Sequence, residues 1–157
     1  MRGCGGQSRG DCIAAACFGN GLAVCDVDDK QADAAVKRFT VKDGKKPEKY
    51  KDFRKVMERD GIHVIVNGTP DHWHALLTIE GCLAGKDVYV EKPASHNIQE
   101  GKVAVAAARK KDCMVQLGTQ IRSAKFLPEA REFVTSGSLG KVITGRAWET
   151  GRCVAVK

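Results

Sequence analysis

The sequence predicts an α/β fold, a doubly wound and mostly parallel sheet with helices on both faces. Three observations lead there. Short apolar runs alternate with helical patterns at the spacing of βαβ units. The runs are nearly continuous in aliphatic residues, as strands buried on both faces are. Chemistry-bearing side chains stand just after several of them, at the carboxyl ends where such sheets bind ligands.

The elements follow in order along the 157 residues. After a glycine-rich start, "GDCIAAACFG" (10–19) reads as a helix closed by Gly19-Asn20. "GLAVCDV" (21–27) is a buried strand. "DDKQADAAVKRF" (28–39) is a helix with Asp28 or Asp29 as N-cap and Ala32, Ala35, Val36 and Phe39 on one side. "TVKDGKKPEKY" (40–50) is polar, broken by Gly44 and Pro47, and reads as a loop. "KDFRKVMERDG" (51–61) is a short helix stopped by Gly61.

"IHVIVN" (62–67) is the next strand. "PDHWHALLTIEGCLAG" (70–85) is a helix opened by proline and closed by glycine. "DVYVE" (87–91) is a strand, "NIQEGKVAVAAARKKD" (97–112) a helix and "CMVQLGT" (113–119) a strand. "AKFLPEAREFVTSG" (124–137) is a helix with Pro128 near its start. "KVITGRAW" (141–148) closes the series as a strand. The expected organisation is a nucleotide-binding domain over 1–140, with 141–157 opening a second α/β domain.

Composition narrows the function classes. With 43% hydrophobic and 29% charged residues, the chain is globular. No apolar run approaches the ~20 residues of a membrane helix, and the start has no apolar signal region. A cytoplasmic location and no membrane partner are expected. The net charge of +7 is scattered in small groups and aromatics total 6%, so nucleic acid is not the expected partner. The seven cysteines form no C-x-x-C pair and sit mostly among apolar residues, as small buried hydrophobes do.

Five motifs stand at strand ends. In "GCGGQSRG", Gly3, Gly5 and Ser8 fit a dinucleotide fingerprint, with serine where the third glycine or alanine usually sits. Such glycines let backbone approach a pyrophosphate at a helix N-terminus. Asp26 lies about 20 residues on, where a carboxylate accepts from an adenosine ribose and repels a 2′-phosphate, so NAD is favoured over NADP. In "NGTPDHWH", His72 and His74 are two apart, the wrong spacing for paired zinc ligands on a helix, and no metal is expected. "VYVEKP" places Glu91, Lys92 and Pro93 at the end of an interior strand, where a partly desolvated ammonium can hand on a proton. "QLGTQIRS" offers Gln120 and Arg122 to a polar substrate.

Together, in this order and spacing, "CDVD", "GTPDHWH", "VYVEKP", "QLGTQIRS" and the glycine turn resemble the Gfo/Idh/MocA oxidoreductases over residues 3 to 148. The resemblance implies an NAD(P)-dependent Rossmann domain acting on a sugar or polyol, and a homo-oligomer in full-length members. It places Gly3, Gly5 and Ser8 at the pyrophosphate and Asp26 at the ribose. Thr69, Pro70 and His74 would line the cofactor path, and Glu91 would lie by the nicotinamide ribose. Lys92 would be catalytic, with Gln120 and Arg122 on the substrate. It also implies truncation at both ends, with the first strand reduced to Met1-Arg2 and the second domain cut off at Lys157. A non-catalytic NAD-binding module or a gene remnant is the alternative.

Overall fold

Alternating apolar and polar runs here resolve into six helices and five strands across the described residues of a computed structural model, namely residue 4, residues 6–39 and residues 46–148. The first unit, up to Thr119, contains every strand, and the second begins at Gln120. The order is α1 (Gly6–Ala15), β1 (Ala23–Cys25), α2 (Asp29–Arg38), β2 (Glu48–Tyr50), α3 (Phe53–Met57) and β3 (Val64–Asn67). A single 3₁₀ turn over Asp71–Trp73 leads into α4 (His74–Leu83), followed by β4 (Asp87–Glu91), α5 (Ile98–Lys111), β5 (Val115–Gly118) and α6 (Phe126–Thr135).

All the ladders are parallel. β1 pairs with β2, and β3, β4 and β5 pair in that order, with Val64 opposite Asp87 and Val88 opposite Val115. The α/β, Rossmann-like architecture expected from the sequence is therefore present. Side chains alternate across each strand, and the core divides accordingly. Ala23, Cys25, Ile65, Val88 and Val90 pack on one face with Val56 of α3, Cys82 of α4 and Ala107 of α5. Val24 joins Cys12 of α1 with Ala32 and Ala35 of α2 in a second cluster, against which Val66 packs.

Local chemistry fixes the helix ends. Asp28 accepts from the amide of Lys30 at 2.8 Å, Asp52 from Arg54 at 3.0 Å and Asn97 from Glu100 at 2.9 Å, each an N-cap. Gly61 and Gly85, at φ 77° and 71°, follow α3 and α4 in the left-handed region.

Three expectations need correction. The stretch read as a loop over 40–50 contains β2, an edge strand held by Glu48 N to Leu22 O and Asp26 N to Tyr50 O. Its charged side chains are those of an edge rather than an interior strand. α1 begins at Gly6 and ends at Ala15, earlier at both ends than the 10–19 expected; beyond it Phe18 is 93% exposed, with nothing apolar to hold another turn. The strand expected over 141–148 is not formed. In the second unit no ladder partner stands beside it among the described residues, and strand backbone needs one.

α1 and the turn after β3 approach closely. A Cβ on Gly68 would collide with the side chain of Ser8 and come within 3.0 Å of its Cα. The serine that replaces the usual third small residue of the fingerprint is accommodated because its neighbour has no side chain. Gly68→Ala should therefore lower the unfolding free energy by about 1–3 kcal/mol. Ser8→Gly in the same chain should recover part of that loss, as measured by urea denaturation of the four members of the double-mutant cycle.

Candidate functional site

The candidate residues that the structure describes in the first unit gather along one rim, at the carboxyl ends of β1, β3 and β4. Gly3 and Gly5 lie outside the described residues. Cys4, between them, donates its amide to Asp26 Oδ2 at 2.7 Å and its thiol to the carbonyl of Cys25 at 3.8 Å. The other carboxylate oxygen of Asp26 accepts from Asp28 N at 3.0 Å. Burial and then the adjacent Asp26 push the Cys4 thiol up to about 12, which keeps it protonated and unreactive. Ser8 is fully buried beneath Gly68. So Cys4, ahead of α1, meets the end of β1, and Ser8 of α1 meets the turn after β3.

The turn after β3 is built by Asn67 and His74, both buried. Asn67 donates its amide nitrogen to the carbonyl of His74 at 3.1 Å. Its side-chain oxygen accepts from the Thr69 hydroxyl at 2.8 Å and the Thr69 amide at 3.4 Å. The two imidazole nitrogens of His74 lie 2.7 Å from the carbonyl of Thr69 and 2.6 Å from that of Pro93. Those two carbonyls belong to the turns after neighbouring strands. His74 therefore spans the rim and ties one turn to the other, and Pro70 stays exposed beside it.

Glu91 ends β4 and is 5% exposed. Its carboxyl is raised above the ordinary value by burial first, then by the like charge of Asp11 on α1, with which it also shares a hydrogen bond. Tyr89, two residues earlier on the same face, is raised by burial and by the same two acids, and hydrogen-bonds Glu91. A Cβ on Gly118 would come within 2.5 Å of both Glu91 Oε1 and the Tyr89 hydroxyl, so a side chain there would displace the ends of these two side chains. Lys92 follows directly and is exposed, joined to Pro93 by a cis peptide.

Gln120 and Arg122 belong to the second unit, where they are exposed in the turn before α6. Sequence reading missed Asn67, Asp11 and Tyr89. The available signal was a polar residue ending an aliphatic strand in "VIVN", and an aspartate on the inward side of a helix among alanines.

A Rossmann-type sheet with these turns agrees with the family match. The model of the oxidoreductase family with an NAD-binding Rossmann fold, Gfo/Idh/MocA, matches residues 7–119. The chain belongs to this family. A levoglucosan dehydrogenase of Pseudarthrobacter phenanthrenivorans is 27% identical over 95 residues, covering 60% of this chain and 24% of the relative. A glycosyl hydrolase family 109 protein of Shewanella sp. (strain ANA-3) is 27% identical over 131 residues, 80% of this chain and 28% of that protein. In fold, the chain matches the WlbA dehydrogenase of Bordetella pertussis, a structure in complex with NADH and UDP-GlcNAcA. The TM-score is 0.78 at 22% identity, over 88% of this chain and 42% of that one. The chain thus spans about a quarter of the length of the curated relatives it matches.

The raised Glu91 carboxyl has a defined sign. A carboxyl whose folded midpoint lies above its ordinary 4.5 contributes stability below that value, and loses it as pH rises through the raised midpoint. Glu91→Gln has no such proton to lose. Its melting temperature relative to the parent should climb from about pH 4 to about pH 8. A difference that stays flat across that range would show that Glu91 titrates as a solvated acid.

Proposed function

We propose that the rim binds NAD and that the protein of which this chain forms the dinucleotide-binding part oxidises a hydroxyl of a sugar or polyol. The observation that carries the reading is the contact set at the rim. Cys4 on Asp26, Ser8 under Gly68, His74 between Thr69 and Pro93, and Asp11 on Glu91 join four turns into one border.

The residues fit a dinucleotide. Gly68 presents backbone without a side chain above Ser8 at the start of α1, which suits a pyrophosphate at a helix N-terminus, and Gly3 and Gly5 are assigned to the same turn. Asp26 holds Cys4 and Asp28 with one bond to each oxygen, which leaves acceptor capacity on both for ribose hydroxyls. Lys49 of β2 and Lys51 beside it pair with Asp29 and Asp33 of α2, which takes these two cations away from a 2′-phosphate. Bound there, the nicotinamide supplies the hydride chemistry.

Thr69 and Pro70 line the cofactor's path, and His74 orients them from below. Glu91 accepts from the nicotinamide ribose. Lys92 Nζ, exposed at the end of the interior strand, holds the proton of the reacting hydroxyl. Gln120 and Arg122 offer hydrogen bonds to other hydroxyls or a carboxylate of the substrate. The sugar class rests on the names of relatives, a levoglucosan dehydrogenase and a dehydrogenase solved with UDP-GlcNAcA.

NADH should bind saturably, as read from enhanced nicotinamide fluorescence, and NADPH about tenfold more weakly or worse. Asp26→Ser should narrow that gap. Lys92→Met should leave NADH affinity within about twofold and abolish any polyol-dependent formation of NADH. No NADH binding would sink the reading, and binding without turnover in the parent would reduce it to a binding module.

A further inference from the structure

Tyr89 and Glu91 alternate with Val88 and Val90 along β4, so they leave the sheet on the face away from the larger core cluster. There Glu91 hydrogen-bonds Tyr89 of its own strand and Asp11 of α1. The glutamate is 5% exposed, and one carboxyl oxygen of Asp11 is closed to solvent. Among the described residues, the neighbouring strands bring no charge to this spot. β5 sets Gln116 beside Tyr89 and Gly118 beside Glu91, and β3 ends at Asn67 beside Val90. The cation acting on Glu91 is Lys92, whose amide donates to the carboxyl and whose side chain is exposed.

Granted that the rim takes a dinucleotide, we propose that Asp11 is a positioning residue for Glu91. The two acids hold one proton between them while the rim is empty, and the cofactor's ribose drives it out, so that affinity for the dinucleotide follows pH.

The hydrogen bond between the two acids requires that proton. An ionised carboxylate has acceptors only, so two of them cannot bond to each other unless a proton lies between. Tyr89 does not supply it, since its O–H serves its own bond to Glu91. Burial first and Asp11 second hold the Glu91 carboxyl above its ordinary value, against the lowering by Lys92. The proton belongs to the pair, and both acids take part in its titration.

A ribose hydroxyl changes the balance. It donates to a carboxylate in a bond roughly twice as strong as one to a neutral acceptor. Cofactor binding therefore favours ionised Glu91 and releases the proton. A ligand that prefers the ionised form binds tightest above the raised midpoint, and loses affinity as pH falls below it. Asp11→Asn removes the like charge and offers an N–H to the carboxylate, so Glu91 stays ionised to lower pH. An Asp11 that merely packed α1 onto β4 would move affinity at every pH alike.

The test is NADH titration by nicotinamide fluorescence from about pH 5.5 to about pH 8.5, with calorimetry in buffers of different ionisation enthalpy counting the protons released. In the parent chain, affinity should rise with pH, by up to about tenfold per unit below the Glu91 midpoint, and about one proton should leave per NADH bound there. In Asp11→Asn the rise should move to lower pH, and proton release at the acid end should fall by about half or more. Proton release in the parent needs no variant and stands as a test by itself. NADH binding with flat affinity and no proton release would overturn the inference and leave the dinucleotide reading intact. A profile in Asp11→Asn identical to the parent's would assign the proton to another group and overturn the role of Asp11. No NADH binding at any pH would overturn both.

Discussion

A single buried imidazole holds the rim of this sheet together. His74 stands at the first turn of α4 with a main-chain carbonyl at each ring nitrogen, Thr69 on one side and Pro93 on the other. Both are acceptors. A neutral ring has one N–H and satisfies one of them, while the imidazolium satisfies both. Each of the two turns follows a different strand, so their separation is set by the width of one ring. Asn67 holds the main chain of the same residue from behind, donating to the carbonyl of His74. Whatever binds above the turns meets a border whose spacing was fixed on folding.

The same border concentrates costs that an ordinary core avoids. Ser8 and Gly68 meet without room for a methyl group, and the ends of the Glu91 and Tyr89 side chains fill the space beside Gly118. Asp11 faces Glu91, whose charge burial and the neighbouring acid both disfavour. Burial of like charges is costly unless a proton is shared or an external donor arrives. A ribose hydroxyl is such a donor. This gives physical content to a site at which close packing, missing side chains and a perturbed carboxyl coincide.

Much of the fold was legible because its strands are interior. "VIVN", "DVYVE" and the alternating helices carry unmistakable periodicity, and the N-caps Asp28, Asp52 and Asn97 stand where the patterns begin. β2 was not legible, since Glu48, Lys49 and Tyr50 lie at an edge where solvent tolerates charge. The strand expected over 141–148 shows the converse. An apolar run has strand propensity, yet only a neighbour turns it into a strand. In the site, residues announced by turn chemistry, such as Asp26, Thr69 and Glu91, could be picked out. Asn67, Asp11 and Tyr89 could not, because their part depends on which strand ends lie side by side. His74 was visible as a residue, while its bridging of two turns is a product of topology.

The most direct test of this account is NADH affinity in His74→Gln, with far-UV circular dichroism confirming that the helices and strands persist. Glutamine keeps a donor but cannot span both carbonyls, so the turns should part and NADH affinity should fall by about tenfold or more. Affinity equal to the parent's in a folded variant would contradict the claim that the imidazole sets the geometry of the rim.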